Sequence, residues 1–330
     1  MHLLDNIVQS KQALIVRPRG GTDVWHLPGS GQLAASIEEC PLRYVLRDDV
    51  TELCTKLAFE EDTILGSSIE LLRVPASRLW VEFASHARHK VFSSLNRLSD
   101  GLEHDQDQRI GLLIASDRDG RKGQIDVFWE NLSGLGPDLA PFRIDFDFDD
   151  ETLSSVANLS GDATELGIEI PDHRMLNPLY RHVRFELRQQ WHNYYRQRAA
   201  SESRFREVLH AAVKPLLEDV PFFATFCLLL ISRDALREQH SDRARLNKSR
   251  AKRGRAPLLD HVELTINLGE HEHPERTSEG GERTSPRLHF VRGHLVRRGD
   301  SIHWRTSHMR GTPVIGSIRC RTVTLRVAAG

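Results

Sequence analysis

Arg109-Ile110-Gly111-Leu112-Leu113-Ile114-Ala115 and Gln124-Ile125-Asp126-Val127-Phe128-Trp129, separated by Ser116-Asp117-Arg118-Asp119-Gly120-Arg121-Lys122-Gly123, form the stretch from which the fold is read. Two runs rich in aliphatic and aromatic residues flank a segment of Asp and Gly, the pattern of a β-hairpin with a charged, mobile loop. Further strand-like runs lie at Ile69 to Val74, Leu79 to Ala84 and Phe142 to Phe148. Together they predict a mostly antiparallel sheet packed with helices in an α+β domain.

The last of these runs alternates strictly. Phe142, Ile144, Phe146 and Phe148 share one face, and Arg143, Asp145, Asp147 and Asp149 share the other. Such a carboxylate row could hold a hard divalent cation through several oxygens. No EF-hand glycine pattern or distant acidic motif accompanies it, which favours a wet acidic face leading into a helix start.

Toward the N-terminus, Ala13 to Arg17 and Asp23 to Leu27 flank Pro18-Arg19-Gly20-Gly21-Thr22 and predict another hairpin. From Ile37 to Ala58 the apolar residues Leu42, Val45, Leu46, Val50, Leu53, Leu57 and Ala58 recur mostly at three- and four-residue steps, predicting an amphipathic helix with Cys54 beside its buried stripe. Toward the C-terminus, helices are predicted over Leu179 to Gln197 and Arg204 to Leu217, with a kink or break at Pro215. Pro221 to Ile231 lacks a polar face, so it belongs at the centre of the fold, with Cys227 as a core thiol.

Composition then shifts. Asp242 to Pro257 carries Arg243, Arg245, Lys248, Arg250, Lys252, Arg253 and Arg255 with little to bury, and reads as an exposed basic linker or arm of the kind that meets nucleic-acid phosphates or stays solvated. Val262 to Leu268 predicts a strand, Gly269 to Ser285 a flexible loop, and Arg319 to Val327 a further strand. The expected organisation is an α+β domain over 1–175, a helical core region over 176–240, a linker and loop over 241–285, and a C-terminal β module over 286–330.

That module, Pro286 to Gly311, places two β-type runs on either side of Gly299-Asp300, a hairpin turn. Alternation puts Phe290, Arg292, His294, Val296 and Arg298 on one side and Val291, Gly293, Leu295 and Arg297 on the other. A face crowded with cations can bind phosphate, carboxylate or an acidic partner through forked guanidinium donors, or remain a half-buried hairpin with solvated arginines.

The chain has 330 residues and a net charge of -1, which argues against a uniformly basic coat for unspecific nucleic-acid binding. Cys40, Cys54, Cys227 and Cys320 are scattered without CxxC spacing, so neither a zinc ribbon nor a disulfide framework is expected, and a cytoplasmic location is. No signal peptide is visible, and the longest apolar run, Val220 to Ile231, falls short of the roughly 20 residues that span a bilayer. No membrane partner and no cofactor are expected. His271, His273, His289, His294, His303 and His308 lack the spacing of a metal site. P-loop, GxSxG and dinucleotide motifs are absent. A metal-independent ribonuclease could use His294 or His308 as acid and base with Arg292 stabilising the phosphorane.

Arg287, His289, Arg292, Gly293 and His294, followed by a strand with Trp304, resemble the arginine-x-histidine-x-x-arginine-glycine-histidine pattern of a phage and mobile-element protein family. Its best-known member is an anti-CRISPR protein directed at type V-A systems. The resemblance implies a non-enzymatic protein that recognises the nascent N-terminal peptide of the type V-A effector nuclease during translation and promotes loss of its mRNA. Arg287, His289, Arg292, His294 and Trp304 then become candidate contacts with nascent chain, RNA or ribosome. Gly293, Arg297, Arg305 and Arg310 of the same block complete the expected binding surface. The Gly299-Asp300 turn, the basic arm and the Gly269 to Ser285 loop match no part of that pattern. The ribonuclease and a phage nucleic-acid-binding regulator are the alternatives.

Overall fold

The computed structural model describes residues 2–10, 15–16, 25–26, 30–59, 65–66, 68–95, 108–130, 137–153, 178–267, 287–291, 293–298, 301–305, 308–310 and 312–317. Met1–Leu230 with Glu238–Thr265 form one compact unit, and Ile231–Arg237 with Ile266–Gly330 form a second.

The quoted hairpin sits in the middle of a nine-stranded mixed sheet. Its arms are β5 (Arg109–Ser116) and β6 (Lys122–Trp129), paired antiparallel with Ser116 opposite Gly123. β4 (Arg78–Ala84) lies beyond β5, and β8 (Phe142–Asp147) and β9 (Val183–Leu187) lie beyond β6, all antiparallel. β7 (Asp138–Leu139) also pairs with β6. The other flank is parallel in part: β3 (Leu42–Leu46) runs parallel to β4 and to β11 (His261–Ile266), and β10 (Leu236–Ser241) forms the edge. β1 (Ile15–Val16) and β2 (Trp25–His26) pair antiparallel, as the N-terminal hairpin signal predicts.

The parallel flank departs from the sequence reading. Instead of one helix from Ile37 to Ala58 there are α2 (Ser30–Glu38), β3 and α3 (Asp48–Phe59). Pro41 disfavours helical geometry at Cys40. Leu42, Val45 and Leu46 fit a helical period, yet they equally make up a short apolar run, and Tyr44, Val45 and Leu46 are buried between β4 and β11. Asp48 and Asp49 then open α3, where carboxylates suit the helix dipole.

A similar correction applies at Leu179 to Gln197. Pro178–His182 forms a 3-10 turn, Val183–Leu187 extends the sheet as β9, and the helix, α5 (Gln189–Arg198), starts only after them. Val183 and Phe185 alternate with polar neighbours and are buried against β8, so the period of two prevails. Ile69 to Val74 is a 3-10 turn over Ile69–Leu71 rather than a strand. It leads to Val74, whose N–H donates to Gly120 O at 2.8 Å. Gly120 has φ +71, and a Cβ there would lie 2.1 Å from Val74 O, so only glycine fits this turn. Asp117 Oδ1 accepts Arg121 N–H, and the Arg121 guanidinium donates to Glu70 O, Leu72 O and Phe148 O. The charged loop expected to be mobile is thereby tied down.

One face of the sheet is covered by α6 (Glu202–Ile231), a 30-residue helix that runs through Pro215 and Pro221. Phe222, Phe223 and Phe226 stack on Phe83, Phe146 and Tyr44, with centroids at 4.2, 5.6 and 6.0 Å. This is the central helix that the apolar Pro221 to Ile231 run predicts. α4 (Ser85–Ser94) packs against α3 on its flank, with Phe59 and Phe92 rings 4.9 Å apart. On the opposite face, α1 (Leu3–Gln9) lies over β5, and the Trp80 ring fills the space that a side chain at Gly111 would need.

Proline at 221 cannot donate to the carbonyl of Leu217 four residues earlier. The Tyr180 hydroxyl donates to that oxygen instead, at 2.6 Å. Arg88 is equally buried, 2% exposed, and its guanidinium meets Asp219 at 2.6 Å and Glu218 at 4.0 Å between the Phe83 and Phe222 rings. Among the described residues no helix is long and apolar enough to cross a membrane.

In the second unit, β13 (His294–Arg298) and β14 (Ser301–Arg305) form a two-stranded antiparallel sheet. β12 (Arg287–Val291) pairs antiparallel with β15 (His308–Arg310) and parallel with β16 (Thr312–Ser317). The strand expected over Arg319 to Val327 and the loop over Gly269 to Ser285 lie outside the described residues.

Candidate functional site

The β13–β14 hairpin turns where the sequence predicts. Arg298 stands opposite Ser301, leaving Gly299 and Asp300 as a two-residue connection. From there the register is fixed: Arg297 faces Ile302, Val296 faces His303, Leu295 faces Trp304, and His294 faces Arg305. Directly opposed residues of an antiparallel pair share a face, and alternate residues change face. Leu295, Ile302 and Trp304 therefore lie on one side, where Leu295 and Ile302 are buried. His294, Val296, Arg298, Ser301, His303 and Arg305 lie on the other, with Arg298, Ser301 and Arg305 exposed. Two imidazoles and two guanidiniums thus share one small surface, and guanidinium forks suit carboxylate or phosphate.

Gly293 precedes β13 because a side chain has no room there. A Cβ would sit 2.6 Å from Trp304 Cζ2 and 3.2 Å from Arg305 O. The Trp304 ring thus packs on the Gly293 backbone and fixes the hairpin's entry, and its Nε1 is buried without a hydrogen-bond partner among the described residues. The sequence reading treats Phe290 to Arg298 as one strand, but the chain leaves one sheet at Val291 and enters another at His294. Phe290 accordingly does not share the His294 face.

The expected binding residues divide into three groups. His294, Arg297, Trp304 and Arg305 belong to the hairpin, with Arg297 on the Leu295 side. Arg287, His289 and Arg310 belong to the β12–β15–β16 sheet, in which His289 stands opposite Arg310. Arg292 lies outside the described residues. For the ribonuclease alternative, His294 and His308 fall in different sheets. The sequence reading left Arg298 and His303 out of the binding set. The turn at Gly299-Asp300 is the signal that identifies them, because it sets which residues oppose.

The basic arm is a structured element. It forms α7 (Ala244–Ala251) and a return turn between β10 and β11. Two of its seven cations hold the element together. Arg243 donates to Ser241 Oγ at 2.8 Å and reaches His261 Nε2 at 3.4 Å, while Arg250 Nε donates to Ala256 O at 2.8 Å. Asn247 exchanges two hydrogen bonds of 2.8 Å with the Leu258 backbone, and Leu259 N–H donates to Asp5 of α1. The side chains of Arg245, Lys248, Lys252, Arg253 and Arg255 are exposed and make no hydrogen bond or ion pair among the described residues.

The acidic strand offers no cation site. Asp145 pairs with Arg143 and Arg184, Asp147 with Lys122, and Asp149 with Arg121. Among the described residues no group of three or more His, Cys, Asp or Glu is arranged to hold a metal. Cys54 and Cys227 are fully buried, and burial raises both thiols far above the usual cysteine range, so neither is a nucleophile.

A buried polar cluster was not foreseen. Glu82, fully buried on β4, accepts the N–H groups of Leu3 and Leu4 at the start of α1, both at 3.0 Å, and pairs with Arg109 at 2.8 Å. His2 approaches Glu82 at 3.3 Å and stacks edge-on against His261 at 4.4 Å. Burial pushes the Glu82 carboxyl up, but His2, the Leu3 amide and Arg109 outweigh it and hold it below the usual range. Burial, then the nearby His2 and Arg243 charges, hold the His261 imidazole below its usual value. A lone Glu within the apolar run Leu79 to Ala84 is the one sequence signal of this cluster. It ties α1 and the base of α7 to the sheet, and with this geometry it serves as scaffold.

No protein-family model, curated protein or solved structure matches the chain.

Proposed function

We propose that this protein is a non-catalytic recognition factor of the anti-CRISPR-like kind, which lowers production of a type V-A effector nuclease by engaging its nascent N-terminal peptide during translation and promoting loss of the message. The observation that carries this reading is the hairpin register, which gathers His294, Arg298, His303 and Arg305 on one face while Leu295 and Ile302 are buried on the other. The guanidinium forks of Arg298 and Arg305 on that face suit binding of carboxylate or phosphate groups. The resemblance carried by Arg287, His289, Arg292, Gly293, His294 and Trp304 supplies the target.

The test is co-expression with a type V-A nuclease gene. Transcript and protein of the nuclease fall with the native chain. They recover with a variant in which His294, Arg298, His303 and Arg305 are all replaced by Gln, while an unrelated transcript stays constant throughout. Unchanged nuclease transcript and protein in the presence of folded native chain removes the reading.

A further inference from the structure

We propose that α7 and its return turn form a sequence-independent docking site for the phosphate backbone of a duplex nucleic acid. This deepens the reading above, on which it rests for its cellular context, by giving the chain a nucleic-acid contact separate in sequence from the hairpin.

The first observation is charge without compensation. Between Asp242 and Asp260 there is no acidic residue, and Arg245, Lys248, Lys252, Arg253 and Arg255 are exposed with side chains unpaired among the described residues. Elsewhere in the same unit arginines unpaired among the described residues, such as Arg47, Arg73 and Arg118, are scattered along the sequence, while Arg78, Arg109, Arg121, Arg143, Arg184 and Arg188 each meet a carboxylate. Unpaired cations concentrated on one short element point to an anionic partner from outside the chain.

The second observation is preorganisation. Arg245, Lys248 and Lys252 recur at helical spacing, and Lys252 itself keeps helical geometry at the C-cap, so the three line one stripe about a turn apart. Gly254 takes φ +64, which turns the chain so that Arg253 and Arg255 flank the helix end, and Arg255 N–H returns to Arg250 O at 3.0 Å. Asn247, Arg243 and Arg250 lock the element from inside. The cations therefore do not have to be ordered on binding, which lowers the entropic cost of association.

The third observation sets the class of nucleic acid. From Arg243 to Leu259 there is no aromatic residue on which an unpaired base could stack. The one amide able to read a base edge, Asn247, is consumed by Leu258. The guanidinium and ammonium groups that remain bind phosphate whatever the sequence, and duplexes present phosphates in a regular array.

The experiment uses the full chain and fluorescence anisotropy with four labelled probes: a duplex RNA, a duplex DNA, a single-stranded RNA of the same sequence, and polyglutamate. Both duplexes are expected to bind more tightly than the single strand. Five phosphate contacts predict that log K falls with log salt at a slope of about -4.5, a loss of several hundred-fold between about 50 mM and about 200 mM. Replacing Arg245, Lys248, Lys252, Arg253 and Arg255 with Gln abolishes binding at the upper salt. A charge-keeping variant, Arg245→Lys, Arg253→Lys and Arg255→Lys, retains it. A thermal melt of each variant matching the native chain establishes that the fold is intact, since all five side chains are exposed. Binding unaffected by the Gln variant, preference for the single strand, or preference for polyglutamate overturns the proposal, the last in favour of an acidic protein. If the Gln variant binds duplex as well as the native chain while nuclease transcript still falls, this inference alone fails. If the Gln variant loses duplex binding and the native chain leaves the nuclease transcript unchanged, the peptide reading is removed and this one stands.

Discussion

Gly293 shows how little freedom the candidate surface allows at single positions. Its missing Cβ is the space in which the Trp304 ring lies, so Gly293→Ala forces a ring 2.6 Å away, and a carbonyl 3.2 Å away, to shift. Overpacking of this kind costs about 1–3 kcal/mol. Hydrogen exchange checks it: amides of 294–298 and 301–305 exchange faster in the variant, whereas unchanged protection contradicts the packing. Arg88 is the counterpart in the core. Arg88→Met leaves Asp219 as an uncompensated buried acid and lowers stability by about 3–5 kcal/mol. Burial already pushes the Asp219 carboxyl up despite Arg88. A urea midpoint equal to that of the native chain contradicts this role.

At the scale of elements, α6 shows how a helix survives its own sequence. Pro221 leaves Leu217 O without its helical donor, and Tyr180 from the neighbouring 3-10 turn replaces it. Tyr180→Phe then strands a buried carbonyl and costs about 1–3 kcal/mol. In the Pro221→Ala background the backbone donor returns, so the same Tyr180→Phe change costs markedly less. Chemical denaturation of the four proteins of this cycle decides it, and additive effects contradict it. The legibility of the fold follows the same physics. β8 is readable from its strict alternation, and β5 and β6 from apolar runs that flank turn residues, all of them local signals. β3 and β9 were misread as helix because their apolar spacing suits both periods, and only their neighbours in the sheet decide. The site was half legible: the turn at Gly299-Asp300 announced the hairpin, but the break at Gly293 depends on a ring eleven residues away in sequence.

At the scale of the whole molecule, His261 and Glu82 each withdraw stability in acid, in two separate stages. The folded His261 imidazole titrates below the ordinary value of 6.5, so as pH drops below 6.5 the unfolded chain takes up a proton that the folded chain refuses, and stability declines. Glu82 titrates below 4.5 when folded, so its contribution is present above pH 4.5 and is lost as pH falls through the folded value. Urea midpoints measured from neutral to acid pH test this: His261→Gln flattens the upper stage and Glu82→Gln the lower. Profiles parallel to that of the native chain contradict it.

The central claim is that the chain reads a peptide during translation. It is tested most directly by measuring decay of two nuclease transcripts in cells expressing the protein. One has its early codons synonymously recoded, which keeps the peptide and changes the RNA. The other is frameshifted across the same codons with the frame then restored, which nearly keeps the RNA and changes the peptide. The account predicts rapid decay of the recoded message and stability of the frameshifted one. Decay of the frameshifted message, or stability of the recoded one, contradicts it.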